Sequence, residues 1–580
     1  MLENSNDELP DLDDIPVSAG ISIADEGGTF TEHDIEAADA LQNPATGRAI
    51  ATATAGIGVL HGARLLVGMI AQPLIANRLG IQWQADVYAV SSELVRSIWT
   101  VFEKVINPTL LPNFIHALAD EGEERAWGLA STAMWLMMLA LLVVTPIVFL
   151  TMPFIVDIYS PGAQGPERAL TIELSRVLLA GLFFLSISSL TYVILNGYKR
   201  FASAALGDTL WKVGIAGAAA IAVGTKMGFR ATLYILTWGF VIGSFFKLLP
   251  HLIALRSKWK HLQFKIDWHD PLVKKMLWLA VPLLLGIVVS ESRGVFLFRL
   301  ADSSGIDVPG SRAALKFSKL IGDNLIQIFP YALSIGIFPY LADMARSRDR
   351  QPFTDTLMSA LRVCIFVFGP LMAILIAVRY DLLSAVWQSG KFTQEDVFVL
   401  SLPFVAYSLG LIAFACESIL NQTFYAMTNA WTPTIIGLIT TVVWVVMAWA
   451  GVEYGAAAGL GLAGIAIAES FAKSLKCVLL WALLRRHLGD THVKENLLFC
   501  LKVLIGSLIA ALIAWLVTHN LAPTEEIASV KDKIRILLAV MAGGLSGVLV
   551  YVALGYYSGM REVRQLIEFT GKVRRRFARG

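Results

Sequence analysis

Charged residues are scarce in this chain. Only 16% of its 580 residues are Asp, Glu, Lys or Arg, where a soluble protein carries about a quarter. That scarcity excludes a large water-exposed surface, and a mean hydropathy of +0.64 says what replaces it. Cysteine is scarcer still. Cys364, Cys416, Cys477 and Cys500 are widely spaced inside apolar runs, which leaves no disulfide framework and no metal-ligand spacing; they read as small hydrophobes. The nine histidines are scattered and lack HExxH or a similar pairing. The first residues lack the basic and apolar regions of a signal peptide. No loop is long enough for a catalytic domain; the longest on the outer side cover about 299–312, 379–396 and 519–532. No enzyme activity, metal or nucleic-acid partner is expected.

The apolar residues fall in blocks of the length, about 20 residues, that crosses a bilayer core. They lie near 57–80, 86–115, 127–158, 169–196, 202–225, 230–255, 273–299, 312–342, 356–385, 397–426, 432–452, 456–484, 495–518 and 533–558. This predicts an all-α polytopic membrane protein of about fourteen transmembrane helices. Pro73, Pro282, Pro330, Pro339 and Pro370 are expected kink points. Lys and Arg concentrate in alternate loops (Lys199 and Arg200; 256–275; Arg346, Arg348 and Arg350; Arg485, Arg486 and Lys494), while GIQWQAD and SPGAQGPERA are poor in them. The positive-inside rule then puts both termini in the cytoplasm. The expected organisation is an acidic disordered leader (1–55), a six-helix lobe (56–256) and a basic linker (257–272). A second six-helix lobe (273–486), two further helices (487–559) and a basic tail (560–580) follow. The two lobes are expected to be pseudo-symmetric.

Charge inside apolar segments costs roughly 2.5–3.5 kcal/mol per residue on insertion scales, so it should face a partner or a water-filled space. Lys316, Lys319 and Asp323, at i, i+3 and i+7, share one helical face. Glu291 and Arg293 sit in the preceding segment, two residues apart, so each needs its own partner elsewhere. Arg64, Asp86 and Arg96 complete the candidate substrate-binding set; Asp86 is expected in a turn, capping the second helix. Glu93, Arg96, Glu103 and Lys104 could pair along one helix. Asp208 with Lys212, and Glu469 with Lys473, have the i, i+4 spacing of internal salt bridges; Glu417 is a further buried acid.

From about 315 to 433 the sequence resembles the MurJ/MviN lipid II flippase family, within the multidrug and polysaccharide flippase superfamily. The stretches that carry this are IGIFPYLADMA (335–345), LRVCIFVFGPLMAI (361–374), WQSGKFTQEDV (387–397), YSLGLIAFACESILNQTFYAMTNAWTPT (407–434) and NRLGIQWQADVYAV (77–90). The resemblance implies fourteen helices in two lobes, with the last two helping to form a lipid-tail groove. It implies a flippase that moves a polyprenyl-pyrophosphate-linked glycan, lipid II of peptidoglycan synthesis, across the bacterial inner membrane by alternating access. It also implies residues of helices one, two, seven and eight on the pyrophosphate. Such a protein acts as a monomer among membrane lipids, without a cofactor, coupled to Na⁺, H⁺ or the membrane potential. The sequence departs from the family in the first helix, where only Arg64 approaches an expected arginine, Ala71 replaces a second arginine and Gln72 an aspartate. SSELVRSIWTVFEK leaves Arg96 as a loose equivalent, and FSKLIGD puts Lys319 and Asp323 at an arginine and a glutamate position. Alternatives are export of another lipid-linked polysaccharide or of a small molecule, and, more remotely, a polytopic glycosyltransferase.

Overall fold

The computed structural model describes residues 44–225, 227–301, 310–345, 349–427, 429, 431–455, 460–522 and 530–564. Residues 1–43 of the leader, Arg346 and Arg348, and the tail beyond 564 lie outside them; residues 44–55, expected to be disordered, are instead the start of a helix. Every expected apolar segment is helical over nearly all of its described residues. The elements are α1 (Pro44–Leu79), α2 (Trp83–His116), α3 (Glu123–Tyr159), α4 (Gly165–Gly197), α5 (Phe201–Thr225), α6 (Phe229–Ala254), α7 (Pro271–Ala301) and α8 (Ser311–Ala345). Then come α9 (Gln351–Ala377), α10 (Arg379–Trp387), α11 (Gln394–Leu409), α12 (Leu411–Ala426), α13 (Trp431–Glu453), α14 (Gly461–Leu484), α15 (Val493–Leu521) and α16 (Val530–Tyr557).

Two expected segments are each split. The 356–385 segment breaks at Val378 between α9 and α10, and 397–426 breaks at Gly410 between α11 and α12. At the second break Ser470 of α14 leans in and donates to the Ala406 carbonyl at 2.7 Å. Thr393 and Asp396 form a reciprocal capping box that starts α11.

Among the described residues, ten spans are long and apolar enough to cross a membrane, with α11 and α12 forming one. The long helices left out are α1, α2, α8 and α14. They carry Arg64, the Glu93–Lys104 run, Lys316–Asp323 and Glu469–Lys476. Each carries charge along part of its length, and a charged stretch needs protein or water around it, not lipid. The contacts provide that. α1 packs on α5 and α8, α2 on α4, α7 and α8, and α14 on α7, α8, α11, α12 and α13. α7 touches helices of both halves of the chain, while α15 and α16 pack on each other and against α9 and α10.

Candidate functional site

One end of the bundle is shut by backbone. The Lys391 amide donates to the Asn77 carbonyl at 2.8 Å, joining the α10–α11 turn to the end of α1. Gly390 there has φ +59°, and a Cβ would stand 2.4 Å from the Asn77 oxygen, so the GKF motif needs glycine for both reasons. Gly310, with φ +76°, presses equally close to Ile81 and Gln82. Asp86 is buried beside it. It does not cap its own helix, whose N-cap is Gln82 without a side-chain bond. Its carboxylate instead accepts the Ala313 amide of α8 at 2.9 Å and lies 3.6 Å from Arg312, which also reaches Glu167 at 3.3 Å. Arg312 is 1% exposed. The expectation of a cap on α2 is therefore corrected: Asp86 satisfies the orphan amides of another helix.

Between about one and four turns from that end, the charged faces of α1, α2, α5, α7, α8 and α14 meet. Lys319 pairs with Glu469 of α14 at 2.6 Å and lies over the Tyr407 ring. Glu291 pairs with Lys104 at 3.0 Å, and Arg293 stacks 4.9 Å from the Trp444 ring centroid. These two residues thus use separate helices, as their spacing requires. Arg96 donates to Glu93 one turn away at 3.0 Å. The side chains of Arg96 and Lys104 stay 45% and 49% exposed although helices surround α2, so these faces border open space between helices.

Two expected salt bridges are not made. Asp208 pairs with Lys247 of α6 at 2.7 Å, whose ammonium also lies over Trp99 and Trp211. Lys212 is thereby released. Glu469 is held by Lys319, and Lys473 turns to Glu417 at 2.8 Å, which Lys476 also meets at 2.7 Å. In both cases a longer-range partner in better geometry displaces a neighbour on the same helix, whose pairing is worth only about 0.2–0.5 kcal/mol.

The outcome is an excess of cation. Lys212 and Lys316 have no carboxylate partner among the described residues; Arg64, Lys316 and Arg96 all lie close enough to Lys212 to repel it. Asp323, one turn on from Lys319, adds its charge to that of Glu469 there. Of the residues singled out from sequence, Arg64, Arg96, Glu291, Arg293, Lys316, Lys319 and Asp323 belong to this region, and Asp86 belongs to the sealed end. Lys212 was missed because its spacing from Asp208 suggested a salt bridge. The competing signal was Lys247, the one Lys or Arg in α6 beyond its first turn.

Charge enclosed among membrane helices and shut off at one end is the architecture of a transporter that opens to one side at a time. The chain belongs to the lipid II flippase MurJ family, whose model matches residues 75–529, and is a multi-pass membrane protein. It is 25% identical over 379 residues to the probable lipid II flippase MurJ of Treponema pallidum, covering 63% of this chain and 67% of that one. It is 22% identical over 484 residues to the corresponding protein of Buchnera aphidicola subsp. Acyrthosiphon pisum, covering 83% and 93%. The fold is similar to a lipid II flippase MurJ structure in an inward closed conformation, with a TM-score of 0.70, 20% identity and coverage of 88% and 99%.

Proposed function

We propose that this chain carries lipid II, a glycan linked through diphosphate to a polyprenyl chain, across the bacterial inner membrane by alternating access. The observation that carries this reading is the pair Lys212 and Lys316, half-buried cations beside Arg64 and Arg96 that no carboxylate contacts among the described residues, Asp208 and Glu93 near them being taken by Lys247 and Arg96. An enclosed charge without a partner is costly, and a diphosphate supplies the missing charge through strong charge-assisted hydrogen bonds. The prenyl chain stays in lipid, so only the headgroup needs shelter. The lobes 56–256 and 273–486 rock about this site, and the Asn77–Lys391 and Asp86–Ala313 contacts hold the outer end shut while the cytoplasmic end loads. Both termini lie in the cytoplasm and the monomer is the working unit. Na⁺, H⁺ or the membrane potential resets the cycle, the carboxylate of Asp323 being the group placed to answer a cation.

The test is complementation of cells depleted of their own lipid II flippase, with Lys212→Met and Lys316→Met beside wild type and membrane levels matched. Rescue by wild type alone supports the reading. Failure of well-expressed wild type removes lipid II as the cargo and leaves another lipid-linked polysaccharide, for which the same cations would serve. Rescue by all three keeps the function and rejects the site.

A further inference from the structure

A second site lies on the outside of the bundle, away from the charged interior. Between α3 and α4 runs an open groove of about 850 Å³, walled by Trp135, Leu139, Leu142, Ala180 and Phe183 and reaching Phe264 and Lys265 of the linker. Pro146 and Pro153 interrupt the hydrogen-bond ladder of α3 there. The carbonyl that Pro153 leaves without a donor is that of Phe149. Arg176 of α4 fills the vacancy, its Nε donating to Phe149 at 3.1 Å while the guanidinium covers the Phe149 ring. Arg176 thus closes the far end of the groove. From Trp135 to Phe149 the groove runs for about 21 Å, more than one leaflet of a core about 30 Å thick.

The near end is built differently. Trp135 donates to the Gln263 carbonyl at 2.9 Å and its ring meets Phe264 at 5.0 Å. Phe264 is nevertheless 85% exposed, an apolar ring at the groove mouth with nothing covering its outer side. Lys265 beside it is 70% exposed, and its partner Asp267, at 3.3 Å, is itself exposed, so the pair holds the ammonium only weakly. Lys260, Lys274 and Lys275 at the same end are exposed and have no carboxylate partners among the described residues. An exposed aromatic ring, a basic rim and an apolar trough match the parts of one kind of molecule.

We infer that this groove binds an anionic phospholipid of the leaflet at the linker end, its phosphate on Lys265 and one acyl chain lying along α3 and α4 up to Arg176. Aromatic and basic side chains at a helix end favour the headgroup layer, and each lysine near an anionic surface contributes about 1 kcal/mol. The site is independent of the cargo and stands whether or not lipid II is carried.

The experiment uses the full chain in nanodiscs with phosphatidylglycerol carrying a photoreactive group in one acyl chain. Phosphatidylcholine with the same chain is the comparison, and cross-links are mapped by mass spectrometry. The expected result is labelling of 135–149 and 179–183 about fivefold richer with phosphatidylglycerol than with phosphatidylcholine, and richer than on the lipid-facing side of α15. In Lys265→Gln, a change on an exposed linker residue, the preference should fall to near one. Leu142→Trp, which fills the trough from an exposed position, should reduce labelling with both lipids. Equal labelling by the two lipids in wild type, labelling no richer than on α15, or an unchanged preference in Lys265→Gln would each overturn the proposal.

Discussion

The interior of this protein holds charge in two ways. Around Glu417 each lysine meets an acid: one carboxylate lies between Lys473 and Lys476, at 2.8 and 2.7 Å, with Asn421 beside it. Around Lys212 and Lys316 the cations outnumber their partners. Both regions lie inside helices that must avoid lipid, and both would look alike in a count of charged residues. The difference is that each lysine of the first set touches a carboxylate, whereas Lys212 and Lys316 of the second touch none among the described residues. Completed networks hold helices together, whereas incomplete ones mark where something else binds.

Breaking the complete network should have the largest effect on stability. Glu417→Gln leaves two lysines uncompensated between α12 and α14, and loss of one member of a buried ionic set costs about 3–5 kcal/mol. The expected outcome is a marked fall in melting temperature in detergent. Substituting methionine at 417, 473 and 476 together should restore much of the loss, since apolar replacements of a whole buried set are often neutral. If Glu417→Gln melts like wild type, the network is not structural.

At the incomplete site the order reverses. Lys212→Met and Lys316→Met each remove a cation that lacks a carboxylate partner among the described residues, so melting temperature should hold or rise. A lost charge-assisted hydrogen bond of about 1.5–3 kcal/mol should lower headgroup transport by roughly one to two orders of magnitude. A variant that loses stability and transport in proportion would place that lysine with the structural set. Gly390→Ala tests the sealed end between these two. Its Cβ would overlap the Asn77 carbonyl, and strain at a positive φ costs about 1–2 kcal/mol. The clasp should loosen, read as increased labelling of a cysteine placed at Asn77 from the outer side.

Most of the fold is legible in the sequence because lipid imposes one rule on every span. Apolar length located each helix; the early start of the first at Pro44 and the breaks at Val378 and Gly410 escaped it. The site is less legible because pairing is a tertiary matter. Lys316 and Lys319 share a helix face as their spacing requires, yet one is bound to Glu469 and the other is not, and nothing local distinguishes them. Asp208 and Lys212 have ideal spacing but do not pair, since Lys247 arrives from α6. Asp86 was visible as important and misplaced in role, because the amide it satisfies lies 227 residues away.

The smallest effect expected is at the linker, where a complete pair stands near water. Asp270 accepts the Leu272 amide at the start of α7 at 2.9 Å and is gripped by Arg125 of α3 at 3.0 Å. The Arg125 guanidinium, helped by that amide, holds the Asp270 carboxyl below the usual carboxylate range. A depressed carboxyl binds its proton less readily in the folded state than in the unfolded one. Its contribution is therefore fully present above the unfolded value of about 4 and is lost as pH falls through the lower folded value. Because Arg125 is partly open to water, the ion pair should be worth at most about 1 kcal/mol. Melting curves between pH 7 and pH 3 should show a modest loss confined to the acid end, and Asp270→Asn should flatten that part of the profile while lowering stability at pH 7. A profile for Asp270→Asn that tracks wild type below pH 4 would mean that the linker end of α7 is held by its apolar contacts alone, and that even this complete pair is decoration on a hydrophobic joint.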